Sequence, residues 1–494
     1  MENDLQHLPK FKPSVLGKTR LLLVCLFLPF FLLSQNADPS LPNAAGPNTL
    51  DYITVAKIYI EGHKRTKTDI ILRELDFKIG DTIHLDHLSQ RLRENELNIM
   101  NTGLFTAARM NFKEWEGATN KVGLNIEVKE DWYVFPFPIV ELADRNFNVW
   151  WRDFGHSLKR LNLGVRFYHT NFSGRRDWLK AVLQFGFTQK YELIYTLPSF
   201  NKKQTVGLNF NLLHTREKEI GYTTFENKLQ FQRNDNEVLF KRFRIGAGLS
   251  YRPKLDQFHE LNLTYRSHQI HESVRQELNP DFFLNGLRQR YFSINYQYSV
   301  DKRDIRPYPM NGFFISGNIT KNGLGLNGDI QSLDVSAAIQ QYFSIGKKWS
   351  IALAAKGKTG LQRGQQPYYT SRALGYFDDY IRGYEFYVID GLDFVYHKQA
   401  LRFKIFDKKY FWGKYMKLES FKTMPVKAFL VAHNELGYVN NPFYKKNNPL
   451  SNEALWGAGL GLDVVIYYNK VINLEYSRNH LGEQGFFLHW SFSF

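Results

Sequence analysis

The sequence predicts an antiparallel β-barrel that crosses a membrane and follows a small α+β domain. Three observations support this all-β fold class. From about residue 131 to residue 494, apolar and polar side chains alternate with a period of two. The N-terminus carries a short apolar run of the kind found in export signals. The chain ends on a strand pattern with aromatic side chains on one face. Because only alternate residues of a barrel strand face lipid, a mean hydropathy of -0.40 is compatible with this membrane fold.

Composition excludes several other classes of protein. Apolar residues make up 43% and charged residues 23% of the 494, so the chain is not expected to be disordered. Its single cysteine, Cys25, excludes disulfide scaffolds, Cys-ligated zinc and iron–sulfur sites. The formal net charge of +16 suits nucleic acid, an anionic membrane surface or a solvated basic face. Because the chain carries an export signal, we expect no nucleic-acid partner.

The N-terminal segment 1–34 is typical of a secretory signal peptide. Lys18 and Arg20 precede the apolar run 21–33, and the small residue Ser34 follows it. A membrane-spanning helix needs about 20 apolar residues, so this run is short for a stable span, although an uncleaved anchor is the alternative. Residues 35–51 are expected to form a linker. With no second apolar run of spanning length, the exported product is periplasmic, secreted or an outer-membrane barrel.

Residues 52–130 predict a small β-α-α-β-β domain. Strand patterns occupy 53–60, 107–112 and 122–128. Thr66 and Asp69 have the spacing of a capping box at the start of the first helix, and the second helix carries a stripe of Leu85, Leu88 and Leu92. Turns are expected at Gly62, Gly80 and Gly103, the last suited to a left-handed helix end. A sheet this small keeps open edges that can accept another strand, although a plain folded spacer is the alternative.

The segment 131–494 predicts a long series of amphipathic strands. Leu161, Leu163, Val165 and Phe167, for example, alternate with polar residues or glycine. This pattern is typical of a barrel with one face to lipid and the other to a polar lumen. A water-soluble sandwich is the alternative, but such a fold rarely alternates so cleanly over so long a segment.

The last strand pattern has its own signature. Five apolar side chains share one face of residues 485–494: Phe486, Leu488, Trp490, Phe492 and Phe494. A strand of this kind can close a barrel against the first strand, which is expected near 133–142. It also offers backbone and aromatic contacts to the machinery that assembles outer-membrane proteins.

Several motifs then occur in a characteristic order. The small domain contains Ile58-x-Ile60-x-Gly62, Thr66, Ile71-x-Arg73-Glu74-Leu75, Gly80-Asp81 and Thr102-Gly103-Leu104-Phe105. The barrel segment contains Ile381-Arg382-Gly383-Tyr384 within a long stretch, about 359–398, between strand patterns. In this order the two parts resemble the Omp85 superfamily of the BamA/TamA and D15 surface-antigen type, here with a single POTRA module. The resemblance implies about sixteen barrel strands, with the run 222–233 as a loop extension between the fifth and sixth.

The resemblance also implies a partner for the loop motif. In the family this loop is the sixth external one and folds back into the lumen, where its arginine meets a carboxylate from an F-x-D-x-G motif on a later strand. His433-Asn434-Glu435-Leu436-Gly437 occupies that place here, with Glu435 for the aspartate and His433 for the phenylalanine. A buried arginine needs such a partner; a solvated loop arginine is the alternative. The glycines at 457, 459 and 461 are expected to leave lumen space for the loop.

The resemblance implies a non-enzymatic function in the bacterial outer membrane. The first expectation is a factor that inserts or assembles outer-membrane proteins through a seam between strands 133–142 and 484–494, with the POTRA domain docking clients or partners. A dedicated polypeptide translocator and a structural barrel subunit are the alternatives. Expected partners are lipids and lipopolysaccharide, client outer-membrane or exported proteins, and periplasmic or lipoprotein subunits. No cofactor or metal is expected, because the histidines show no metal-binding spacing.

Overall fold

The computed structural model describes residues 51–117, 119–142, 161–326, 330–376, 379–417, 421–467 and 470–492. The predicted signal peptide, 1–34, and all but the last residue of the linker lie outside these ranges. Within them, no helix combines the length and the apolar character needed to cross a bilayer.

The small domain is a four-stranded sheet with two helices. Its elements are β1 (Tyr52–Glu61), α1 (Thr68–Leu72), β2 (Thr82–His84), α2 (Leu85–Met100), β3 (Phe105–Glu116) and β4 (Lys121–Glu130). The strand order is β2-β1-β4-β3, and β1 and β4 are parallel. The short strand β2, which pairs Ile83 with Ile53, follows directly on the glycine turn and adds a fourth strand to the predicted β-α-α-β-β order. Both isoleucines belong to the buried core.

The predicted capping box is wrong. Helix α1 begins at Thr68 with Lys67 as its N-cap, and no side chain caps it. The hydroxyl of Thr66 is buried and is used elsewhere: it lies 3.0 Å from the Tyr133 hydroxyl and accepts a hydrogen bond of 2.9 Å from the Asn171 amide. A side chain one residue before the N-cap therefore serves tertiary contacts instead of the helix end.

The leucine stripe is confirmed at two of its three positions, and the glycine turns at all three. Leu88 is buried and Leu92 packs on the core, whereas Leu85 is exposed in the first turn of α2. Gly62, Gly80 and Gly103 all adopt positive φ, at 89°, 96° and 75°. At Gly62 the position also lacks space, because a Cβ there would lie 1.9 Å from the Val128 carbonyl oxygen.

Sixteen strands of the described residues form one antiparallel sheet in chain order, as predicted for the barrel. They are β5 (Val134–Leu142), β6 (Leu161–His169), β7 (Trp178–Gly186), β8 (Thr188–Leu197), β9 (Val206–Glu217), β12 (Phe240–Lys254), β13 (Gln257–Ile270), β14 (Arg288–Asp301), β15 (Gly312–Asn322), β16 (Ser332–Ile345), β17 (Trp349–Gly360), β20 (Asp393–Phe411), β21 (Thr423–Asn440), β22 (Ala454–Ile466), β23 (Lys470–Asn479) and β24 (Gln484–Phe492). The first strand lies where it was expected.

Two short hairpins stand outside this sheet. The first pairs β10 (Glu219–Phe225) with β11 (Lys228–Arg233), between the fifth and sixth barrel strands, where a loop extension was expected. The second pairs β18 (Arg372–Leu374) with β19 (Ile389–Asp390), between the eleventh and twelfth.

The faces of the barrel strands are inverted relative to a soluble protein. Leucines on many strands are exposed: Leu163, Leu183, Leu249, Leu263, Leu430, Leu460 and Leu474. Polar residues one position from an exposed leucine are buried: Asn162, Gln184, Thr264, Glu475 and, beside the exposed Leu436, Glu435. A soluble sandwich buries its apolar face, so this arrangement excludes that alternative and confirms a lipid-facing barrel.

The small domain contacts the barrel at one end. The backbone N–H of Lys67 donates to the Gly174 carbonyl at 2.9 Å, in the turn between β6 and β7. The Asn101 amide donates to the Asp304 carbonyl, also at 2.9 Å, in the turn between β14 and β15. Since successive strands alternate in direction, the connection between β17 and β20 opens at the opposite end.

Candidate functional site

The connection between β17 and β20 returns to the inner face of the barrel. It spans residues 361–392, which is shorter than the expected 359–398 because β20 already begins at Asp393. Its buried side chains share one apolar cluster with side chains of later strands and their connection: Ala373, Leu374, Ile381, Tyr384, Ile389, Phe394, Val439, Leu450 and Leu455. We call residues 361–392 the inserted loop.

Arg382 sits between two buried carboxylates. Its Nη1 donates to Glu435 Oε1 at 2.8 Å, and its backbone N–H donates to Glu435 Oε2 at 3.0 Å. Its Nε lies 2.7 Å from Glu475 Oε2. The side chain of Glu435 has no exposed surface, and Lys398 Nζ lies 3.4 Å from its second oxygen. Two cations thus face two carboxylates, so the charges of this buried network balance.

Sequence reasoning missed Glu475 and Lys398. Both lie on strands at positions where the alternation directs a side chain to the lumen, and both are ionisable. One sequence signal could have identified Glu475: it is a carboxylate on the lumen face of a strand that follows the predicted motif. Its partner was hidden, because Arg382 and Glu475 are brought together only when the loop folds back.

The rest of the loop motif is held by close packing. The side chain of Ile381 is buried against Gly437, where an added Cβ would lie 3.0 Å from it. Gly383 has φ of 87°, and its carbonyl accepts a hydrogen bond of 2.8 Å from the Asn479 amide. The Tyr384 hydroxyl donates to the Trp456 carbonyl at 3.1 Å. All four motif residues therefore contact strands β21–β23 or the turn that follows β23.

The three glycines of β22 do different things. An added Cβ at Gly457 would lie 1.9 Å from the Arg382 carbonyl oxygen, so this glycine makes room for the inserted loop. At Gly459 it would lie 2.2 Å from the Tyr476 carbonyl oxygen and 2.8 Å from the His433 ring, and at Gly461 it would lie 3.0 Å from the Leu474 carbonyl oxygen and 3.2 Å from the side chain of Glu475. The expectation that all three leave space for the loop is therefore wrong for two of them. Gly459 and Gly461 instead make room for the backbone of β23 and for the lumen-facing side chains of His433 and Glu475.

His433, at the position of the family's phenylalanine, is buried and polar in its contacts. Its Nε2 lies 3.2 Å from the Ser477 hydroxyl on β23. The residue therefore joins β21 to β23 across the small Gly459 instead of packing an aromatic ring on the loop.

The inserted loop also contacts the last strand. His489 Nε2 lies 3.2 Å from Glu475 and 3.7 Å from Glu385 of the loop, and its ring stacks on Tyr380 at 5.2 Å between centroids. Glu385, Glu475 and His489 have donor atoms within 4.8 Å of one another, as a metal site requires. The Arg382 guanidinium already engages Glu475, so we assign these groups to the ion-pair network.

The first and last strands are the two ends of the strand order. Strand β5 carries two prolines, Pro136 and Pro138. On β24 the side chains of Phe486 and Leu488 are exposed. The side chains of Trp490 and Phe492, and all of Phe494, lie outside what the structure describes.

The small domain ends its sheet on β3. A cavity of about 460 Å³ lies beside this edge, and α2, β3, Ile305, Pro307, Lys409, Lys427 and Tyr467 line it. The edge therefore faces a recess bounded by both the small domain and the barrel.

Comparisons with known proteins agree with this architecture. The model of the Omp85 superfamily domain matches residues 171–396, and that of the surface antigen variable number repeat, a POTRA module, matches residues 53–131. No curated protein matched the chain. Among solved structures, BamA from Haemophilus ducreyi lacking POTRA domains 1–3 is 16% identical, with 89% of this chain and 84% of that chain covered and a TM-score of 0.50.

Two further structures are CdiB proteins. CdiB from Acinetobacter baumannii is 14% identical, covering 89% of this chain and 74% of that one, and CdiB from Escherichia coli is 11% identical, covering 92% of each. The TM-score is 0.47 for both. The two family matches, the single POTRA sheet and the sixteen-stranded barrel place the small domain in the periplasm and the barrel in the outer membrane; the chain belongs to the Omp85 superfamily.

Proposed function

We propose that this protein inserts or assembles other outer-membrane proteins by opening the seam between β5 and β24, without enzymatic chemistry. Members of the superfamily insert or translocate proteins, and the proposal selects insertion. The observation that carries it is the pair of prolines, Pro136 and Pro138, in the strand at one end of the sheet order.

The prolines weaken the ladder that β5 can make. A proline has no backbone N–H, so each removes one donor from a strand of nine residues. A net backbone hydrogen bond is worth about 1 kcal/mol, and prolines within sheets are confined mainly to edge strands. Strand β5 is therefore suited to open and close at low cost.

An opened seam supplies what a client strand needs. The freed edge of β24 offers backbone groups in register, and backbone pairing tolerates many client sequences. The inserted loop braces the same strand through His489 and through the ring of Phe386, which lies 5.5 Å from that of Phe487. Loop position and seam opening would then be coupled, with the Arg382 network as the fixed point.

The small domain would present clients or partners to the seam. Strand β3 is the outer strand of its sheet and lies beside the 460 Å³ cavity at the barrel. An extended segment of an unfolded client, or of a periplasmic or lipoprotein subunit, would pair with this edge by strand addition. Lipids of the two leaflets, lipopolysaccharide included, complete the proposed set of partners.

Disulfide locks across the seam test the proposal. In a C25A background, Phe137→Cys is combined in turn with Phe486→Cys and Leu488→Cys, which samples neighbouring registers. The matched control is L263C/I294C, a pair on directly opposed and exposed positions of β13 and β14. We expect the seam lock to stop insertion of a client barrel into proteoliposomes and a reductant to restore it. Full activity with the seam locked would refute the proposal.

Depletion separates insertion from dedicated export. Outer-membrane proteomes are compared before and after controlled depletion of the protein. A broad fall in barrel proteins supports general assembly. Loss of one or two surface or secreted proteins, with other barrels unchanged, would assign the chain to a dedicated translocator. A proteome without change would assign it to a structural subunit.

A further inference from the structure

The hairpin of β20 and β21 extends beyond both neighbouring strands, β17 and β22, on the periplasmic side. Strand β20 pairs with β17 only as far as Phe403, but with β21 as far as Phe411. Relative to β17, the extension is therefore eight residues, about 26 Å at 3.3 Å per residue. Relative to β22, which pairs with β21 as far as Val426, opposite Lys408, the extension is three residues. A barrel strand needs about 9–11 residues to span a membrane, whereas β20 has 19. We call residues 404–427 the basic hairpin.

The basic hairpin has an unusual composition. It contains seven lysines, one aspartate and one glutamate, a net charge of +5. Lys408, Lys414 and Lys417 are exposed and form no ion pair with another described residue. Four aromatic residues beside them are also exposed: Tyr410, Phe411, Trp412 and Tyr415. The exposed fraction reaches 75% for Phe411 and 82% for Tyr415, which is high for large apolar side chains.

The arrangement of the aromatic residues and lysines in the basic hairpin is typical of a membrane interface. A register shift between Lys404 and Phe406 marks the start of the extension. Beyond it, Phe406, Lys408 and Tyr410 share one face by the alternation of the strand. Exposed aromatic rings next to lysines are typical of the boundary between hydrocarbon and headgroups, where the ring sits at the interface and the ammonium reaches the polar side.

The charge of all the periplasmic turns also indicates an anionic membrane surface on this side of the barrel. The turns on this side carry twelve Lys or Arg and four Asp or Glu: 170–177, 198–205, 255–256, 302–311, 346–348, 412–422 and 467–469. Six external connections carry nine Lys or Arg and fourteen Asp or Glu: 218–239, 271–287, 323–331, 361–392, 441–453 and 480–483. The segment 143–160 between β5 and β6, which lies outside the described residues, adds four Lys or Arg and two Asp. The net positive charge is therefore concentrated on the periplasmic side.

We propose that the basic hairpin binds anionic phospholipid headgroups of the periplasmic leaflet and seats its aromatic side chains in that interface. Charge complementarity selects an anionic lipid, and the exposed rings select a membrane over a soluble anion. The hairpin continues the twelfth and thirteenth barrel strands, so the lipid binds at one defined place on the circumference of the barrel. This binding is independent of what the seam does.

Lipid titration of the purified full chain tests the proposal. The variant K408Q/K414Q/K417Q removes three exposed charges from the hairpin, and the matched control K228Q/K445Q/K446Q removes three from external connections. Bound phosphatidylglycerol per protein is measured by native mass spectrometry, and heat-modified migration on gels verifies that each barrel is folded. Each lysine near an anionic surface contributes a factor of about five, so the hairpin variant should bind at least about tenfold more weakly. The control should bind as the wild type does.

Four further measurements identify the molecule that binds the hairpin. Phosphatidylcholine should bind weakly to all three proteins, and raising NaCl from about 0.1 to about 0.5 M should weaken phosphatidylglycerol binding. Soluble glycerol phosphate at the same concentration should not displace the lipid. A photoreactive residue in place of Tyr415 should yield lipid adducts in intact cells. Equal lipid affinity of hairpin variant and control would overturn the proposal, as would a discrete protein adduct without lipid adducts.

Discussion

The carbonyl oxygen of Arg382 occupies the space that a side chain at Gly457 would need, since an added Cβ would lie 1.9 Å from it. The loop can therefore bring Arg382 to its ion-pair partners because β22 has no side chain at position 457. Close packing and charge act at the same residue, and each can be changed separately.

We expect Gly457→Ala to push the inserted loop away from β22. Overpacking of this kind costs about 1–3 kcal/mol, so the variant should unfold at a lower temperature and expose the loop to protease. Gly317→Ala is the matched control, because nothing lies within 4 Å of a Cβ there. The measurement is the temperature of the heat-modified gel shift, with loop cleavage as a second readout. Equal shifts for the two variants would contradict this account.

We expect Arg382→Ala to be more damaging than Arg382→Ala combined with Glu435→Gln and Glu475→Gln. The single variant leaves two buried carboxylates without their main counter-charge, and breaking a buried pair from one side costs about 3–5 kcal/mol. The triple variant removes those charges as well. Unfolding temperature and client insertion are measured for both. A triple variant less stable than the single one would show that the network does not act through charge.

We expect Glu385→Gln to loosen the last strand from the loop. Glu385 faces His489 of β24 at 3.7 Å, so loss of its charge removes one of the contacts that brace the seam. The disulfide yield between Phe137→Cys and Leu488→Cys should change relative to the parent pair, while Glu453→Gln, in an external connection, should leave it unchanged. An unchanged yield in the Glu385 variant would separate the loop from the seam.

The small domain should stay docked on the barrel under mild acid. Arg252 donates to both oxygens of the buried Glu74, at 2.7 and 2.9 Å. Burial alone would raise the pKa of Glu74, but the charge and hydrogen bonds of Arg252 outweigh it and lower the pKa below 4.5. A carboxylate with a depressed pKa stabilises the folded contact above its ordinary pKa and loses that effect only as pH falls through the depressed value.

Docking should therefore persist from pH 7 to pH 4.5 and weaken only below that. Distances between spin labels on the small domain and on the barrel report it. Glu74→Gln should loosen the contact at every pH, whereas Arg91→Gln, in an exposed pair with Asp76, should not. Undocking of the wild type above pH 5 would contradict the depressed pKa.

Local patterns account for most of the fold. Alternation identifies the lipid face, as at Leu163 and Leu263, because the strand period is set by backbone geometry. The same alternation, together with the resemblance, predicted sixteen barrel strands and the loop extension that β10 and β11 form. The pattern failed at Thr66, where a helix-capping spacing was outweighed by tertiary hydrogen bonds to Tyr133 and Asn171.

The candidate site likewise contains some residues that the sequence predicted and others that it did not. The resemblance of residues 381–384 and 433–437 to family motifs was enough to predict that the loop arginine meets a strand carboxylate. The roles of Glu475 and Lys398 in the network, and of Gly457 in making room for the loop, could be seen only in the folded protein. Ion pairs and close contacts depend on distance in space, and residues far apart in the chain meet only after the barrel sets which strands are neighbours.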